Sequence, residues 1–144
     1  GDDFNIETCH FVPSLIVKTS RSRPKLELWG TGKPMRQQLF IEDLCGLIPV
    51  LLEKHNTDSP LIVSPDENLT IDQMAQTLLK SINKEIKIVY NKQLDGQFRK
   101  DGDNTQLKNL IGDFKFTPFK EGVFRTYMWY VAKKLVEAQG ILHF

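Results

Sequence analysis

Apolar residues recur along the chain at two spacings, one of about 3.6 residues and one of 2, and together they predict alternating helices and short strands. Phe11, Leu15 and Ile16, with Thr8 and Val12 alongside, predict a helix over residues 8–20. Pro13 falls in its opening turns, where a missing N–H costs least. The helix fades into the polar residues 20–24. Leu26-Glu27-Leu28-Trp29 alternates like a strand, Gly30-Thr31-Gly32-Lys33-Pro34 is dense turn chemistry, and Gln37-Gln38-Leu39-Phe40 resumes an extended pattern. Ile41, Leu44, Cys45, Ile48, Leu51 and Leu52 then mark one helical face. Glu42 and Asp43 sit at its positive end, and Pro49 inside it is expected to kink the helix or weaken one turn.

Leu61-Ile62-Val63 is a short apolar run of the kind found in strands buried on both faces. Thr70-Ile71-Asp72-Gln73 has the form of a capping box, and Ile71, Met74, Ala75, Leu78, Leu79 and Ile82 make the apolar stripe behind it. Ile86, Ile88 and Tyr90 alternate with Lys87 and Val89 as a strand. A polar stretch over 91–104 reads as loop, followed by a short helix near 106–111. The last helix is expected to bury Phe119, Val123, Phe124, Tyr127, Val131 and Leu135 on one face. No repeat or Gly/Ser linker interrupts this order, so residues 1–144 are expected to form a single mixed α/β domain.

Composition narrows the function classes. A chain of 144 residues with 40% hydrophobic and 26% charged residues can bury a core without disulfides or metal. Nineteen basic against eighteen acidic residues leave a net charge of +1, which excludes a globally basic nucleic-acid binder. No apolar run approaches the roughly 20 residues of a membrane span, and no charged-then-apolar leader opens the chain. Neither nucleic acid nor membrane is therefore expected as a partner. Cys9 and Cys45 make no zinc pattern or disulfide framework, and His55 and His143 have no ligand-like neighbours. No metal site and a reducing, cytoplasmic setting are the expectations.

Three polar constellations carry possible chemistry. Cys9-His10 opens a helix, and its imidazole titrates near neutrality, so it can give or take a proton or simply sit at the surface. Trp29-Gly-Thr-Gly-Lys-Pro-Met-Arg36 allows close backbone approach to a ligand, with an aromatic to stack and an arginine to clamp a phosphate. The plainer reading is a hairpin with a solvated arginine. Leu94-Asp95-Gly96-Gln97-Phe98-Arg99-Lys100 can read hydroxyls and phosphate oxygens from one turn, or be a solvated loop. Other patterns fail. The Gly30–Lys33 segment lacks the phosphate-loop spacing. Asp101-Gly-Asp103-Asn-Thr105 has Gln106 where a calcium loop needs glycine. Asn68-Leu69-Thr70 is a formal glycosylation sequon, but Thr70 reads better as a helix cap, and Trp129-Tyr130 reads as core packing.

Taken in order, Asp3-Phe4-Asn5, His10-Phe11-Val12-Pro13, the Trp29–Arg36 element, Phe40-Ile41-Glu42-Asp43-Leu44, Asp95-Gly-Gln-Phe-Arg99-Lys100 and Phe116-Thr117-Pro118-Phe119-Lys120 resemble the GDP-L-fucose synthases. These are GDP-4-keto-6-deoxy-mannose epimerase-reductases of the extended short-chain dehydrogenase class. The resemblance implies that His10 is a catalytic acid for epimerisation at C3 and C5 and lies beside the nicotinamide cofactor. It implies substrate contacts at Lys18, Trp29, Arg36 and Asp95, with Arg99 and Lys100 in the same motif. Lys18, Arg36, Arg99 and Lys100 are then expected to converge on one diphosphate.

No Gly-x-x-Gly-x-x-Gly turn for NADP(H) occurs here. The resemblance therefore implies the C-terminal, substrate-binding part of such an enzyme, without the Rossmann half that holds most of the NADP(H) site, the Ser-Tyr-Lys set and the helices of a homodimer. Such a piece is expected to bind a GDP-sugar, to be inactive alone, and to expose apolar surface around residues 41–52. Two alternatives stay open: part of another nucleotide-sugar epimerase or dehydratase, and a free-standing nucleotide-sugar-binding module.

Overall fold

The computed structural model describes residues 2–21 and 24–139. His143 lies outside them. The elements run α1 (Phe11–Ser20), β1 (Lys25–Leu28), β2 (Met35–Gln37), α2 (Ile41–Lys54), β3 (Asn68–Thr70), α3 (Ile71–Ser81), β4 (Lys87–Tyr90), β5 (Arg99–Lys100), α4 (Thr105–Ile111) and α5 (Phe119–Ala138). This is the mixed α/β class expected from the pattern. β1 and β4 pair in parallel. A second sheet has the order β3-β2-β5, with β2 antiparallel to β3 and parallel to β5.

The core lies where α1, β1, α3 and α5 meet. Leu15, Ile16 and Val17 pack with Leu26 and Leu28, with Met74, Ala75 and Leu78, and with Phe119, Val123 and Tyr130. The stripe of α3 behaves as its period predicts. Its start is the expected capping box: Thr70 Oγ1 accepts from Gln73 N at 3.0 Å, and Gln73 Oε1 accepts from Thr70 N at 2.8 Å.

Several expectations are corrected. α1 starts at Phe11 rather than Thr8, because Thr8 N and Cys9 N close a turn on Asn5 O and His10 takes an extended cap conformation. Leu61-Ile62-Val63 is not a strand: it has no ladder partner among the described residues, and Ile62 is 50% exposed. The loop expected over 91–104 contains β5, and β3 forms just ahead of the Thr70 cap. The extended run after the glycine turn ends at Gln37, before Leu39 and Phe40.

On α2 the buried residue is Leu47, while Ile41, Ile48 and Leu52 of the expected inner face are exposed. The helix continues through Pro49. On α5 the buried set is Phe119, Gly122, Val123 and Tyr130, with Tyr127 and Val131 partly packed; Phe124 and Leu135 face outward. Phe4 stacks on Tyr130 with centroids 4.8 Å apart. The same Phe4 ring lies 5.8 Å from Trp129, which stays half exposed while Tyr130 is buried.

Candidate functional site

β1 does not turn back on itself after Trp29. The segment 29–34 carries the chain from the two-stranded sheet to the three-stranded one, so the hairpin reading of the glycine turn does not hold. Gly30 and Gly32 both have φ in the left-handed region, at +73° and +77°. A Cβ on Gly30 would stand 2.1 Å from Asp95 Oδ1, and one on Gly32 would stand 2.5 Å from the Tyr90 ring. Glycine is needed here for conformation and for space.

The turn is held from two sides. On one side, Asn91 Oδ1 accepts from Gly30 N at 3.0 Å, and Asp95 accepts from Thr31 N at 2.8 Å and Thr31 Oγ1 at 2.6 Å. These bonds, with Lys33 nearby, hold the Asp95 carboxyl below the usual carboxylate range, the Thr31 hydroxyl contributing most. On the other side, the first free amides of α3 are used: Ile71 N donates to Pro34 O and Asp72 N to Gly32 O, both at 3.0 Å. Tyr90, whose ring covers Gly32, donates its hydroxyl to Asp72. Burial first, then this carboxylate, pushes the phenol upward.

Around this frame the candidate residues divide into groups. Trp29 is 75% exposed at the end of β1. Lys18 Nζ donates to Glu27 O at 3.1 Å, two residues before Trp29 in the chain. Arg36 and Lys100 are register partners on the parallel strands β2 and β5, so their side chains share one sheet face. Arg36 Nη1 folds back onto Met35 O at 2.6 Å. Arg99 pairs with Met35 across the same strands and therefore leaves from the opposite face, where it forms an ion pair with Asp101. The four cations expected on one diphosphate are thus mounted separately: Arg36 with Lys100, Arg99 behind them, and Lys18 against the β1 backbone.

His10 caps α1, exposed and without a side-chain cap bond. Eight residues separate it from Lys18, roughly 12 Å along the helix axis at 1.5 Å per residue. A cavity of about 510 Å³ opens on the Arg99 side, lined by Gln37, Ser64, Gln97, Arg99, Lys100 and Asp101 among others.

Sequence reasoning missed Thr31, Asn91 and Gln37. Gln37 bridges two loops, accepting from Gly102 N at 2.6 Å and donating to Pro65 O at 2.8 Å. Asn91 had a local signal: its Oδ1 also accepts from Gln93 N at 3.1 Å, the two-residue reach typical of Asn in turns.

The described residues contain no group of three His, Cys, Asp or Glu side chains able to hold a metal. No described helix is long and apolar enough to cross a membrane. The glycine turn differs from the one on which a dinucleotide rests. A dinucleotide pyrophosphate needs a glycine turn running from a strand directly into a helix N-terminus, whereas the glycine turn here runs from β1 into β2.

No family model matches the chain. Curated relatives do. A GDP-L-fucose synthase from Dictyostelium discoideum is 29% identical over 136 residues, covering 90% of this chain and 42% of that protein. The GDP-L-fucose synthase of Escherichia coli (strain K12) is 29% identical over 144 residues, covering 90% of this chain and 44% of its own length. Among solved structures, a GDP-L-fucose synthetase from Naegleria fowleri superimposes with a TM-score of 0.84 at 27% identity, over 91% of this chain and 42% of that one. Its NADP-bound form gives 0.86 at 26% identity. The chain spans less than half the length of these relatives. By sequence and fold together, the chain is similar to the C-terminal part of the GDP-L-fucose synthases, which are extended short-chain dehydrogenases/reductases.

Proposed function

We propose that residues 1–144 act as one substrate-binding domain of a GDP-L-fucose synthase-type enzyme. In this reading the domain holds GDP-4-keto-6-deoxymannose while the sugar is epimerised at C3 and C5 and its 4-keto group is reduced. The observation that carries it is the fixed Trp29–Arg36 turn in a chain that aligns over nine-tenths of its length with GDP-L-fucose synthases.

The roles follow from chemistry. The exposed Trp29 indole packs on the nucleotide. Arg36 and Lys100, on one sheet face, neutralise the diphosphate, with the Arg36 fork leaving Met35 O to do so. Lys18 and Arg99 supply further positive charge from either side. Each Asp95 oxygen accepts one bond from Thr31 and retains lone-pair capacity for a ligand donor. His10, as an imidazolium, returns a proton to a carbanion formed beside the ketone. NADP(H) is held mainly by residues outside this chain, with His10 at its edge, in a cytoplasmic enzyme. The 144 residues alone bind without turnover.

The test is calorimetric titration of the purified chain with GDP, GDP-mannose and UDP-glucose. Binding of the guanine nucleotides, weakened by Arg36→Ala, is the expected result. A UDP preference, or no nucleotide binding, overturns the reading, and NADPH consumption by the chain alone overturns its inactivity. A second reading keeps the GDP-hexose and omits the reduction. It is favoured by a GDP-mannose 3,5-epimerase from Oryza sativa subsp. indica, 28% identical over 78% of this chain.

A further inference from the structure

We propose that Asn91 is the positioning residue of the nucleotide contact, fixing both backbone torsions of Trp29. The inference deepens the reading above and rests on it for the ligand. Asn91 bonds both peptide groups that flank Trp29. Its backbone N–H donates to Leu28 O at 3.1 Å, which fixes the peptide before the tryptophan. Its side-chain Oδ1 accepts from Gly30 N at 3.0 Å, which fixes the peptide after it. With both planes held, φ and ψ of Trp29 are restrained, so the Cα–Cβ bond of an indole that is three-quarters exposed leaves the backbone in one direction.

Asn91 is itself held in place. Its Oδ1 also takes Gln93 N at 3.1 Å, Lys92 N donates to Gly30 O at 3.2 Å, and Lys92 adopts a left-handed φ of +56°. A non-glycine residue in that region persists where its surroundings over-determine it. The segment after β4 is therefore a built clamp on the end of β1.

Both side-chain bonds use Asn91 as an acceptor through a single oxygen. This sets the test, because aspartate keeps the acceptor and alanine removes it. In the Trp129→Phe background, where Trp29 is the one remaining tryptophan, two readouts follow the clamp: time-resolved anisotropy of the Trp29 indole and GDP affinity. Asn91→Ala is expected to free the indole and weaken GDP binding about tenfold, the scale of one lost hydrogen bond. Asn91→Asp is expected to restore both. Ile82→Val, which trims the core edge, is expected to change neither.

Unchanged anisotropy in Asn91→Ala overturns the proposal, as does failure of Asn91→Asp to restore it. So does full GDP affinity in a chain whose indole has been freed. If the unmutated chain binds no GDP, the proposed function fails, while the anisotropy of the alanine and aspartate variants still decides whether Asn91 positions Trp29.

Discussion

Thr31 and Asp95, 64 residues apart, are joined by two hydrogen bonds: the Thr31 backbone N–H to Oδ1 at 2.8 Å and the Thr31 hydroxyl to Oδ2 at 2.6 Å. One carboxylate thereby fixes a turn that otherwise has two left-handed glycines and a lysine. The pair ties the Trp29 turn to the loop that carries Asp95.

Because these bonds favour the ionised form, the Asp95 pKa is depressed in the folded chain. The clamp is fully formed above the ordinary aspartate range and is lost as pH falls through the depressed value. Carboxyl ¹³C shifts of Asp95 and amide shifts of Thr31 should titrate together, with a common midpoint below that of an exposed aspartate. A midpoint at or above the ordinary value contradicts the geometry.

Gly32→Ala and Gly46→Ala should act with opposite sign. At Gly32 the new methyl meets the Tyr90 ring at 2.5 Å in a left-handed backbone, and a loss of about 2–4 kcal/mol is expected from strain and overpacking together. At Gly46, inside α2, nothing lies within 4 Å of the new Cβ, so helix propensity should add about 0.5–1 kcal/mol. Chemical denaturation of both variants checks the pair.

Thr70→Ala removes the acceptor for Gln73 N and leaves a free amide in the first turn of α3. A loss of about 1 kcal/mol is expected from urea unfolding. Thr70→Ser, which keeps the hydroxyl, should lie close to the parent.

Ile48 and Leu52 on α2 are exposed, Leu52 by 76%, although they lie on a strongly apolar helix face. The double variant Ile48→Lys/Leu52→Lys should leave stability within about 0.5 kcal/mol, as for surface substitutions. It should also reduce concentration-dependent association in sedimentation, since exposed apolar patches drive it. Unfolding of the variant would show that the face is part of the core.

Where local rules suffice, sequence and structure agree closely. α3 has a reciprocal cap at Thr70–Gln73 and an uninterrupted stripe, and both are local, so its start and buried face were legible. The Gly30–Gly32 turn was legible because few residues other than glycine take those torsions. α5 was not. It carries Phe124, Tyr127, Met128, Trp129 and Tyr130 around most of its circumference, and no period selects the buried face until Phe4 packs on Tyr130. β3 and β5 are three and two residues long, too short for any alternation, and exist through pairing with β2. Leu61-Ile62-Val63 has the composition of a strand, but pairing needs a neighbour that the described residues do not supply.

By itself, then, the sequence determined the helices, the capping box, the torsions of the glycine turn and the set of aromatic and cationic residues available for a nucleotide. All of these depend on residues within a few positions of one another. The tertiary structure decided which side chains share a face, placing Arg36 with Lys100 and Arg99 behind them, and which residues hold the turn. Gly30 is held by Asn91, 61 residues away, and Thr31 by Asp95, 64 residues away. Hydrogen bonds over such separations leave no trace in local periodicity, because the fold alone brings their partners together.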